Sequence, residues 1–451
     1  MTTIDTSVRT FDTAYRRRAA RPALPSAPLR EHAFEFDVAI VGLGYVGLPT
    51  ALGYFTAGSR VLALDISPAR RAAIVSGDVD LVPIDAARLP IALASDGFLL
   101  SGDPADLARA AAVVVCVPTP VDEHLIPDLS LLSSACATVV ANARVDQLLM
   151  LTSTTYVGCT ADLLVAPLTE RGFIVGDDVY VAFSAERIDP GNTAVDHDRV
   201  PRVVGGATPR CEDRAERLLR RYADAVHGVH SLAAAEMTKL LENTFRAVNI
   251  ALANEFADIC RHLDIDVTTV IDAASTKPYG FMAFRPGPGV GGHCIPCDPH
   301  YLLWQLRSKR VEAPLITQAM TEIALRPGRV VDRVRDVLSA SGTGLVGARV
   351  LVAGIAYKPN VADLRESPAL EILAGLREHG ATIAYLDPLC PRVRLADGSS
   401  MESVEDPRAF APDVVVVHTR HDAMDLGWLD QTPIVLDATY RGVDLPHRVR
   451  L

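Results

Sequence analysis

The sequence contains very little lysine. Only four of its 44 basic residues are lysines, and the rest are arginines. Arginine is therefore the default cation of this chain, and each lysine is a candidate for a task that arginine cannot perform, such as proton exchange near neutral pH. The lysines are Lys239, Lys277, Lys309 and Lys358.

Long hydrophobic runs and closely spaced cysteines are also missing. No stretch approaches the roughly 20 apolar residues that a membrane-spanning helix requires. The N-terminus has no apolar run followed by a small-residue cleavage site, so we expect no secretory signal. Eight cysteines scattered over 451 residues are too sparse for a disulfide scaffold. We therefore expect a cytoplasmic protein with reduced thiols and no membrane partner.

The chain has no excess of positive charge. Its Lys+Arg count of 44 against an Asp+Glu count of 55 gives a formal net charge of −11. Nucleic-acid binding needs clustered positive charge, so we expect no nucleic-acid partner. A hydrophobic content of 49% is enough to fill large cores and argues against wholesale disorder.

From residue 36 onward the chain alternates apolar strands with amphipathic helices, and the alternation restarts after residue 344. The predicted strands are 36–41, 60–64, 112–117, 148–152 and 179–182, followed by 349–353, 382–386, 413–418 and 434–436. Such an alternation is typical of parallel sheets with right-handed crossovers. We predict an α/β protein in which two Rossmann-like doubly wound domains are joined by a long central helix and a helical middle region.

Four segments follow from this pattern. Residues 1–35 are predicted to be a mobile N-terminal extension, and residues 36–230 the first Rossmann-like domain. Residues 231–330 form the helical region, with a long helix at 233–263, a further helix at 267–274 and a Gly/Pro-rich loop at 278–292. Residues 345–451 form the second Rossmann-like domain.

A glycine motif follows the first predicted strand. The motif consists of Gly42, Gly44 and Gly47. The first two precede a predicted helix that starts near Val46, and the third lies in its first turn. Glycines at this spacing permit a tight turn, close approach of the backbone to a pyrophosphate, and close packing of helix on strand. The pattern predicts dinucleotide binding, with a purely structural turn as the alternative.

Two side chains near the end of the second strand bear on the choice of dinucleotide. Asp65 stands where a carboxylate can bind a ribose 2′-hydroxyl and would repel a 2′-phosphate, which favours NAD over NADP. Arg70 could instead stack on an adenine or meet a phosphate.

The most unusual stretch reads GPGVGGHCIPC from residue 287 to residue 297. Cys294 lies at the exit of this Gly-rich loop and is the candidate nucleophile, because a thiolate adds readily to an aldehyde. Cys294 and Cys297 could alternatively form a redox pair or half of a zinc site. No second CxxC pair is present, so we expect no metal and assign Cys297 to a buried, small-residue role.

Lys239 and Asn243 are four residues apart on the predicted long helix, so their side chains share one face. An ammonium beside an amide can stabilise an alkoxide or a tetrahedral oxyanion. The alternative is an exposed lysine beside an ordinary surface asparagine.

Several blocks in order resemble the UDP-glucose/GDP-mannose dehydrogenase family, the nucleotide-sugar 6-dehydrogenases. These blocks include VAIVGLGYVGLPTAL (38–52), VPTPVDEHLIPDLS (117–130), AFSAERIDPGN (182–192), AEMTKLLENTFRAVNIALANE (235–255) and AGIAYKPNVADLRESPAL (353–370). Within the family, the STTY, TKPYGFM and PGPGVGGHCIP segments are most similar to enzymes acting on UDP-N-acetylglucosamine.

The resemblance implies a reaction. NAD would take two hydrides in succession from C6 of a UDP-N-acetylhexosamine, and Cys294 would carry the intermediate thiohemiacetal and thioester. Lys239 and Asn243 would hold the oxyanion, Asp298 would assist proton handling near the thiol, and Thr154 and Glu186 would position the hydrolytic water. UDP-glucose, UDP-N-acetylmannosamine and UDP-N-acetylgalactosamine are the alternative substrates.

The resemblance also implies binding residues and an assembly state. The further cofactor contacts are Tyr45, Val46, Thr119 and Arg365, and the substrate contacts are Arg187, Phe284, Arg285, Gly291 and Lys358. Glu186 could instead be a salt-bridged loop carboxylate, and Arg365 could be a partner of Asp363 or Glu366. The family and the apolar face of the long helix imply a homodimer or larger homo-oligomer.

The sequence departs from the family's usual pattern at several points. Ala185 and Val157 replace prolines, Cys159 replaces a common threonine, and Ala324 replaces an asparagine. Arg285 stands where an aromatic residue is typical. The departures at Ala185 and Ala324 motivate a second hypothesis, a nucleotide-sugar-binding protein without catalysis.

Overall fold

The computed structural model describes residues 34–79, 81–187, 200–292, 294–441 and 448–451. Nearly all of the predicted N-terminal extension, residues 1–35, therefore lies outside the described residues. The end of the AFSAERIDPGN block, residues 188–192, lies outside them as well. Within the described ranges, no helix is both long enough and apolar enough to cross a lipid bilayer.

The first half of the chain builds one eight-stranded sheet. Its strands are β1 (Phe36–Val41), β2 (Val61–Leu64), β3 (Phe98–Ser101), β4 (Ala110–Val115), β5 (Leu148–Leu151), β6 (Tyr180–Phe183), β7 (Arg202–Gly206) and β8 (Val226–Gly228). Their order across the sheet is β3-β2-β1-β4-β5-β6-β7-β8. The first six strands are parallel and follow the order 3-2-1-4-5-6 of a doubly wound dinucleotide-binding sheet, while β7 runs antiparallel to β6.

Helices cover this sheet. They are α1 (Gly47–Thr56), α2 (Pro68–Ser76), α3 (Pro83–Leu93), α4 (Ser130–Asn142), α5 (Ala166–Glu170) and α6 (Pro209–Leu219). Because the sheet is covered on both faces, its strands are continuous apolar runs rather than alternating ones. Strand β2, for example, reads VLAL and all four of its residues are buried.

Four helices form the middle region: α7 (Leu232–His262), α8 (Val267–Ser275), α9 (Asp298–Lys309) and α10 (Pro314–Ala340). Helix α7 contains no glycine or proline, and the Ser231 side chain caps its N-terminus by accepting a hydrogen bond from the backbone N–H of Ala234. Its alanines Ala247 and Ala251 pack against Ala319 and Ile323 of α10 in one apolar cluster.

The C-terminal part forms a second parallel sheet. Its strands are β9 (Arg349–Ala353), β10 (Thr382–Leu386), β13 (Val414–Val417), β14 (Ile434–Asp437) and β15 (Arg448–Arg450), in the order β10-β9-β13-β14-β15. A hairpin of β11 (Arg392–Arg394) and β12 (Ser400–Glu402) lies outside this sheet. Helices α11 (Pro368–Glu378) and α12 (Pro407–Phe410) complete the domain.

The fold class predicted from the sequence is confirmed. The expected strands 36–41, 349–353 and 382–386 coincide with β1, β9 and β10, and the long helix begins and ends one residue before its predicted limits. The expected strand 112–117 is observed two residues earlier, as β4. Sequence reasoning missed β3, β7, β8, β11, β12 and β15, of which all but β3 and β7 are only three residues long.

Candidate active site

The glycine turn after β1 has the geometry that a pyrophosphate site needs. Gly42 has a φ of +87°, and a Cβ on Gly47 would lie 1.8 Å from the carbonyl oxygen of Gly42, so a side chain is excluded there. An added Cβ on Gly44 would meet no atom within 4 Å. The backbone at Gly44 therefore faces open space at the mouth of the turn, where a phosphate can approach.

Asp65 and Arg70 brace this turn. The Asp65 carboxylate accepts hydrogen bonds from the backbone N–H groups of Leu43 and Ser67, each at 2.9 Å. The Arg70 side chain donates to the carbonyl oxygen of Leu43 at 2.8 Å. Both side chains thus contact the glycine turn itself, and the carboxylate is held at the carboxyl end of β2, the position that suits a ribose hydroxyl.

A cavity of about 380 Å³ lies at the carboxyl ends of the parallel strands. It brings together twelve of the residues predicted from the sequence: Gly44, Tyr45, Val46, Thr119, Thr154, Glu186, Arg187, Lys239, Asn243, Gly291, Cys294 and Arg365. Crevices at this end of doubly wound sheets are where such folds bind ligands. We call it the catalytic cavity below.

Lys239 and Asn243 reach the catalytic cavity from α7, as their spacing predicts. The Lys239 ammonium donates a hydrogen bond to the backbone carbonyl oxygen of Glu186 at 2.8 Å. The Asn243 side-chain amide donates to the carboxylate of Asp298, the first residue of α9. Two helices distant in sequence thus meet behind the cavity.

Asp298 is almost completely buried, with 2% of its surface exposed. Burial raises the pKa of its carboxyl to about 6, while the charge of Lys239 and hydrogen bonds from Asn243 and Thr154 oppose this rise. A carboxylate with a pKa near neutrality can take up and release a proton during a reaction.

Cys294 is exposed, whereas Cys297 is buried. The protein around the cavity nevertheless displaces water that would solvate the thiolate, which raises the pKa of Cys294; the nearby Asp298 raises it further, while Lys239, Arg365 and Arg246 lower it. The thiol therefore requires a proton acceptor before it can attack as a thiolate.

The loop that carries Cys294 is anchored at two glycines. The Asn254 side chain accepts the N–H of Gly287 at 2.9 Å, and the buried Arg326 donates to the Gly287 carbonyl oxygen at 3.0 Å. Nearer the thiol, Gly292 donates its N–H to the backbone carbonyl oxygen of Arg365 at 3.0 Å. The helical region and the C-terminal domain therefore hold the loop together.

Glu186 is held by ionic and backbone contacts. Its carboxylate pairs with the guanidinium of Arg202, which is 1% exposed, and accepts the N–H of Arg187 at 2.7 Å. Arg187 itself forms an ion pair with Glu242. Glu186 thus has the salt bridge that the alternative interpretation of this residue expected, and it also lines the catalytic cavity.

Arg365 forms the ion pair with Asp363 that one interpretation expected, and it also lies at the cofactor end of the cavity, as the other interpretation expected. It pairs with Asp363, with its Nε 3.0 Å from both carboxylate oxygens, and its guanidinium lies 5.0 Å from the ring centroid of Tyr45. It therefore spans the cavity mouth between the glycine turn and the C-terminal domain.

Three predicted substrate residues do not line the catalytic cavity. Arg285 pairs with Asp272 of α8 and faces a separate cavity of about 340 Å³. The Phe284 ring packs edge-to-face against Phe245, with centroids 5.8 Å apart. Lys358 follows Tyr357, which does line the catalytic cavity.

Sequence reasoning missed two cations of the site. Arg246 lines the cavity from α7, three residues after Asn243, and helical spacing alone could have identified it. Within the described part of the chain, Arg246 makes no ion pair or hydrogen bond. Arg202 carries no such signal, because it begins the otherwise apolar segment RVVGG.

A second cavity, of about 460 Å³, adjoins the first and shares Tyr357 with it. Its lining includes Arg420 and Arg441, and it lies at the carboxyl ends of β9, β13 and β14. In the described residues, no three His, Cys, Asp or Glu side chains come together as a metal site would require.

Comparisons with known proteins agree with this geometry. Residues 36–223 match the NAD binding domain of the UDP-glucose/GDP-mannose dehydrogenase family, residues 233–322 its central domain and residues 351–440 its UDP binding domain.

Individual relatives cover most of the chain. UDP-N-acetyl-D-mannosamine dehydrogenase from Escherichia coli (strain K12) is 36% identical over 346 residues, 74% of this chain and 81% of the relative. UDP-N-acetyl-D-glucosamine 6-dehydrogenase from Pseudomonas aeruginosa is 33% identical over 390 residues, which cover 86% of this chain and 91% of the relative. The solved structure of UDP-D-ManNAc dehydrogenase from Pyrococcus horikoshii superposes with a TM-score of 0.83 at 28% identity, covering 92% of this chain and 98% of that one. The chain therefore belongs to the UDP-glucose/GDP-mannose dehydrogenase family and is an NAD-dependent nucleotide-sugar dehydrogenase.

Proposed function

We propose that the protein oxidises C6 of a UDP-N-acetylhexosamine to the carboxylate, with UDP-N-acetylglucosamine as the preferred substrate. The observation that carries this proposal is the convergence of Cys294, Lys239 and Asn243 on one cavity, with Asp298 hydrogen-bonded behind them. Relatives named for N-acetylmannosamine and N-acetylglucosamine substrates match at similar identity. Their shared feature is the 2-acetamido group, which supports the substrate class.

Each side chain has a definite task in this reaction. NAD, which the glycine turn at Gly42–Gly47 and Asp65 would hold, would supply the hydride acceptor for both oxidations at C6. Asp298 takes the thiol proton of Cys294, whose sulfur then bonds to the carbonyl carbon of the aldehyde. Lys239 and Asn243 donate hydrogen bonds to the resulting oxyanion. The second oxidation leaves a thioester at Cys294, which water hydrolyses to the uronate and the free thiol.

The two adjoining cavities suit an elongated ligand. The sugar occupies the catalytic cavity beside Cys294, and the UDP moiety extends past Tyr357 toward Arg420 and Arg441. Arginines are well matched to phosphate oxygens because they donate two parallel hydrogen bonds. Thr154 and Glu186 line the cavity and are the proposed positions that orient the hydrolytic water.

Arg246 is the proposed selector of the acetamido group. Its guanidinium lies at the cavity without an ion-pair partner among the described residues, and it lowers the pKa of the nearby Cys294 thiol. A planar donor of this kind can bind the acetamide carbonyl oxygen, whereas a sugar 2-hydroxyl offers a weaker acceptor. An Arg246→Leu variant should therefore lose more kcat/KM with the acetamido sugar than with UDP-glucose.

We further propose a cytoplasmic homodimer formed through α7. Exposed apolar side chains repeat along one face of this helix and continue to the residue after its end: Met237, Leu241, Phe245, Leu252, Phe256, Ile259 and Leu263. The stripe runs for about 39 Å at 1.5 Å per residue, and a second copy of the chain presents the same stripe. All eight cysteines are free thiols, which suits a reducing compartment.

The test is NADH release with a panel of nucleotide sugars: UDP-glucose, UDP-N-acetylglucosamine, UDP-N-acetylgalactosamine, UDP-N-acetylmannosamine and GDP-mannose. We expect two NADH per sugar and the highest kcat/KM with UDP-N-acetylglucosamine. Cys294→Ser should stop before the uronate, whereas the matched variant Cys297→Ala should complete it. The absence of NADH with every UDP-hexose would contradict the proposed reaction.

A further inference from the structure

The segment 154–157 lies along helix α9 and makes three successive contacts with it. The Thr154 side chain acts on the carboxylate of Asp298 at the start of the helix and lowers the pKa of that carboxyl. Two positions on, the ring of Tyr156 packs edge-to-face on Trp304, with centroids 5.7 Å apart. The third contact joins Val157 to Gln305, two helical turns from Asp298.

This third contact is a pair of hydrogen bonds between one side chain and one residue's backbone. The Gln305 side-chain carbonyl accepts the N–H of Val157 at 3.1 Å, and its amide nitrogen donates to the Val157 carbonyl oxygen at 2.6 Å. A glutamine amide offers a donor and an acceptor side by side, so both backbone groups of Val157 are satisfied by one planar group.

The residue at position 157 makes this arrangement possible. A proline has no backbone N–H and could not donate to Gln305. Valine supplies the donor, so the sequence departure at this position is matched by a partner on α9.

The other side of the same turn is held independently. The buried carboxylate of Glu236 on α7 accepts the backbone N–H of Gly158 at 2.6 Å and the N–H and hydroxyl of Thr160 at 2.9 and 2.7 Å. Glu236 therefore anchors the chain after Val157, whereas Gln305 anchors the part that leads back to Thr154.

We propose that Gln305 is a positioning residue that fixes the segment 154–157 against α9 and thereby holds Thr154 beside Asp298. This inference rests on the proposed function in one respect, namely that Asp298 exchanges a proton with the Cys294 thiol. Gln305 itself does not line the catalytic cavity.

Loss of the Gln305 contact has a directional consequence. The Thr154 hydrogen bond opposes the rise in the pKa of Asp298 that burial causes. Without it, the pKa of Asp298 rises further, and the carboxylate that accepts the thiol proton is available only at higher pH. A hydrogen bond to a charged group corresponds to a shift of about one pH unit.

The test compares Gln305→Leu with the wild type and with Gln318→Leu, a matched glutamine on α10 whose side chain pairs with Glu322. The acid limb of the kcat–pH profile should move up by about one unit in Gln305→Leu and stay in place in Gln318→Leu. Gln305→Glu, which keeps the acceptor for Val157 but loses the donor, should fall between them. In a Val157→Pro background, Gln305→Leu should cause a smaller shift.

A second measurement separates this inference from the proposed reaction. Alkylation of Cys294 by iodoacetamide needs neither NAD nor sugar, and the inflection of its pH profile that reports Asp298 should move upward in Gln305→Leu. A Gln305→Leu protein with a lower melting temperature but with neither the acid limb nor the alkylation inflection displaced would overturn the positioning role. Absence of NADH from the wild type, with the alkylation shift intact, would instead contradict only the proposed reaction.

Discussion

The ammonium of Lys239 donates a hydrogen bond to the backbone carbonyl oxygen of Glu186, 2.8 Å away and 53 residues earlier in the chain. The bond joins α7 to the segment that follows β6, and it holds the cation at the wall of the catalytic cavity. From there Lys239 lowers the pKa of both Asp298 and Cys294. A fixed cation beside the reacting thiol is suited to stabilising an oxyanion.

Replacing Lys239 with alanine is expected to lower kcat by about 10²- to 10³-fold, the usual effect of removing one oxyanion donor. Lys239→Arg should not restore the rate, because the planar guanidinium has a different shape and donor geometry. Steady-state kcat and KM measure this, with Lys309→Ala, an exposed lysine in the last turn of α9, as the control. Equal losses in both alanine variants would contradict the assignment.

The buried, charged carboxylate of Asp298 is expected to serve the reaction but to lower the free energy of unfolding of the protein. Its native pKa of about 6 exceeds the ordinary value of 3.8, so the folded protein binds this proton more tightly than the unfolded chain does. Stability is therefore lost as pH rises from about 4 to about 6, and the loss is complete above pH 6. Asp298→Asn should raise the free energy of unfolding at pH 8 by about 3 kcal/mol.

The same variant should lower kcat by about 10²- to 10⁴-fold, because the proton acceptor is removed. Thermal unfolding at pH 8 and near pH 4 checks the sign, since the gain in stability should disappear at the lower pH. A variant that is less stable than the wild type at pH 8 would show that the carboxylate is not destabilised by its burial.

The buried Arg326 should be a major contributor to stability. It contacts Asp258 at 2.9 Å and the Gly287 carbonyl oxygen at 3.0 Å, and its side chain is 1% exposed. Arg326→Met leaves both partners without this donor and should cost about 3–5 kcal/mol. The neighbouring Arg329 shares Asp258 but is 38% exposed, so Arg329→Met should cost about 1 kcal/mol or less. Urea unfolding measures the free energy of unfolding of the two variants. Similar decreases in both would contradict the prediction that the burial of Arg326 makes it the larger contributor.

The apolar stripe on α7 should control the oligomeric state. A double variant, Leu252→Glu with Phe256→Glu, places two charges in the proposed interface and should convert the dimer to monomers, because burying unpaired charge is strongly unfavourable. Sedimentation equilibrium measures the mass. Val346→Glu changes another exposed apolar side chain, on the segment between α10 and β9, and should leave the dimer intact. A dimer that persists in the double variant would place the interface elsewhere.

Local patterns predicted the elements and the residues that depend on spacing within one element. The apolar run of β1, the unbroken periodicity of α7 and the shared face of Lys239 and Asn243 all arise from interactions a few residues apart. The glycine turn is equally local, since the clash between Gly47 and the Gly42 carbonyl involves only one turn of chain.

Contacts across long sequence separations could not be predicted in this way. Nothing in the segment around Asp298 indicates that Asn243 contacts it, and an arginine such as Arg202 is buried only because Glu186 is delivered to it from another strand end. Arg285 illustrates the same limit: its position in the loop suggested the sugar, yet in the structure it pairs with Asp272 on α8. Tertiary packing decides these positions, not local propensity.

The backbone N–H of Gly292 donates a hydrogen bond to the carbonyl oxygen of Arg365. The loop that carries Cys294 therefore depends on the C-terminal domain as well as on the helical region. A chimera that joins residues 34–340 of this chain to the C-terminal domain of a relative would need to reproduce that backbone contact to keep Cys294 in place. The contact uses main-chain atoms, so it constrains the path of the acceptor segment and not the identity of its side chains. Exchange of this domain is therefore limited by how well the backbone of the new domain fits at this contact.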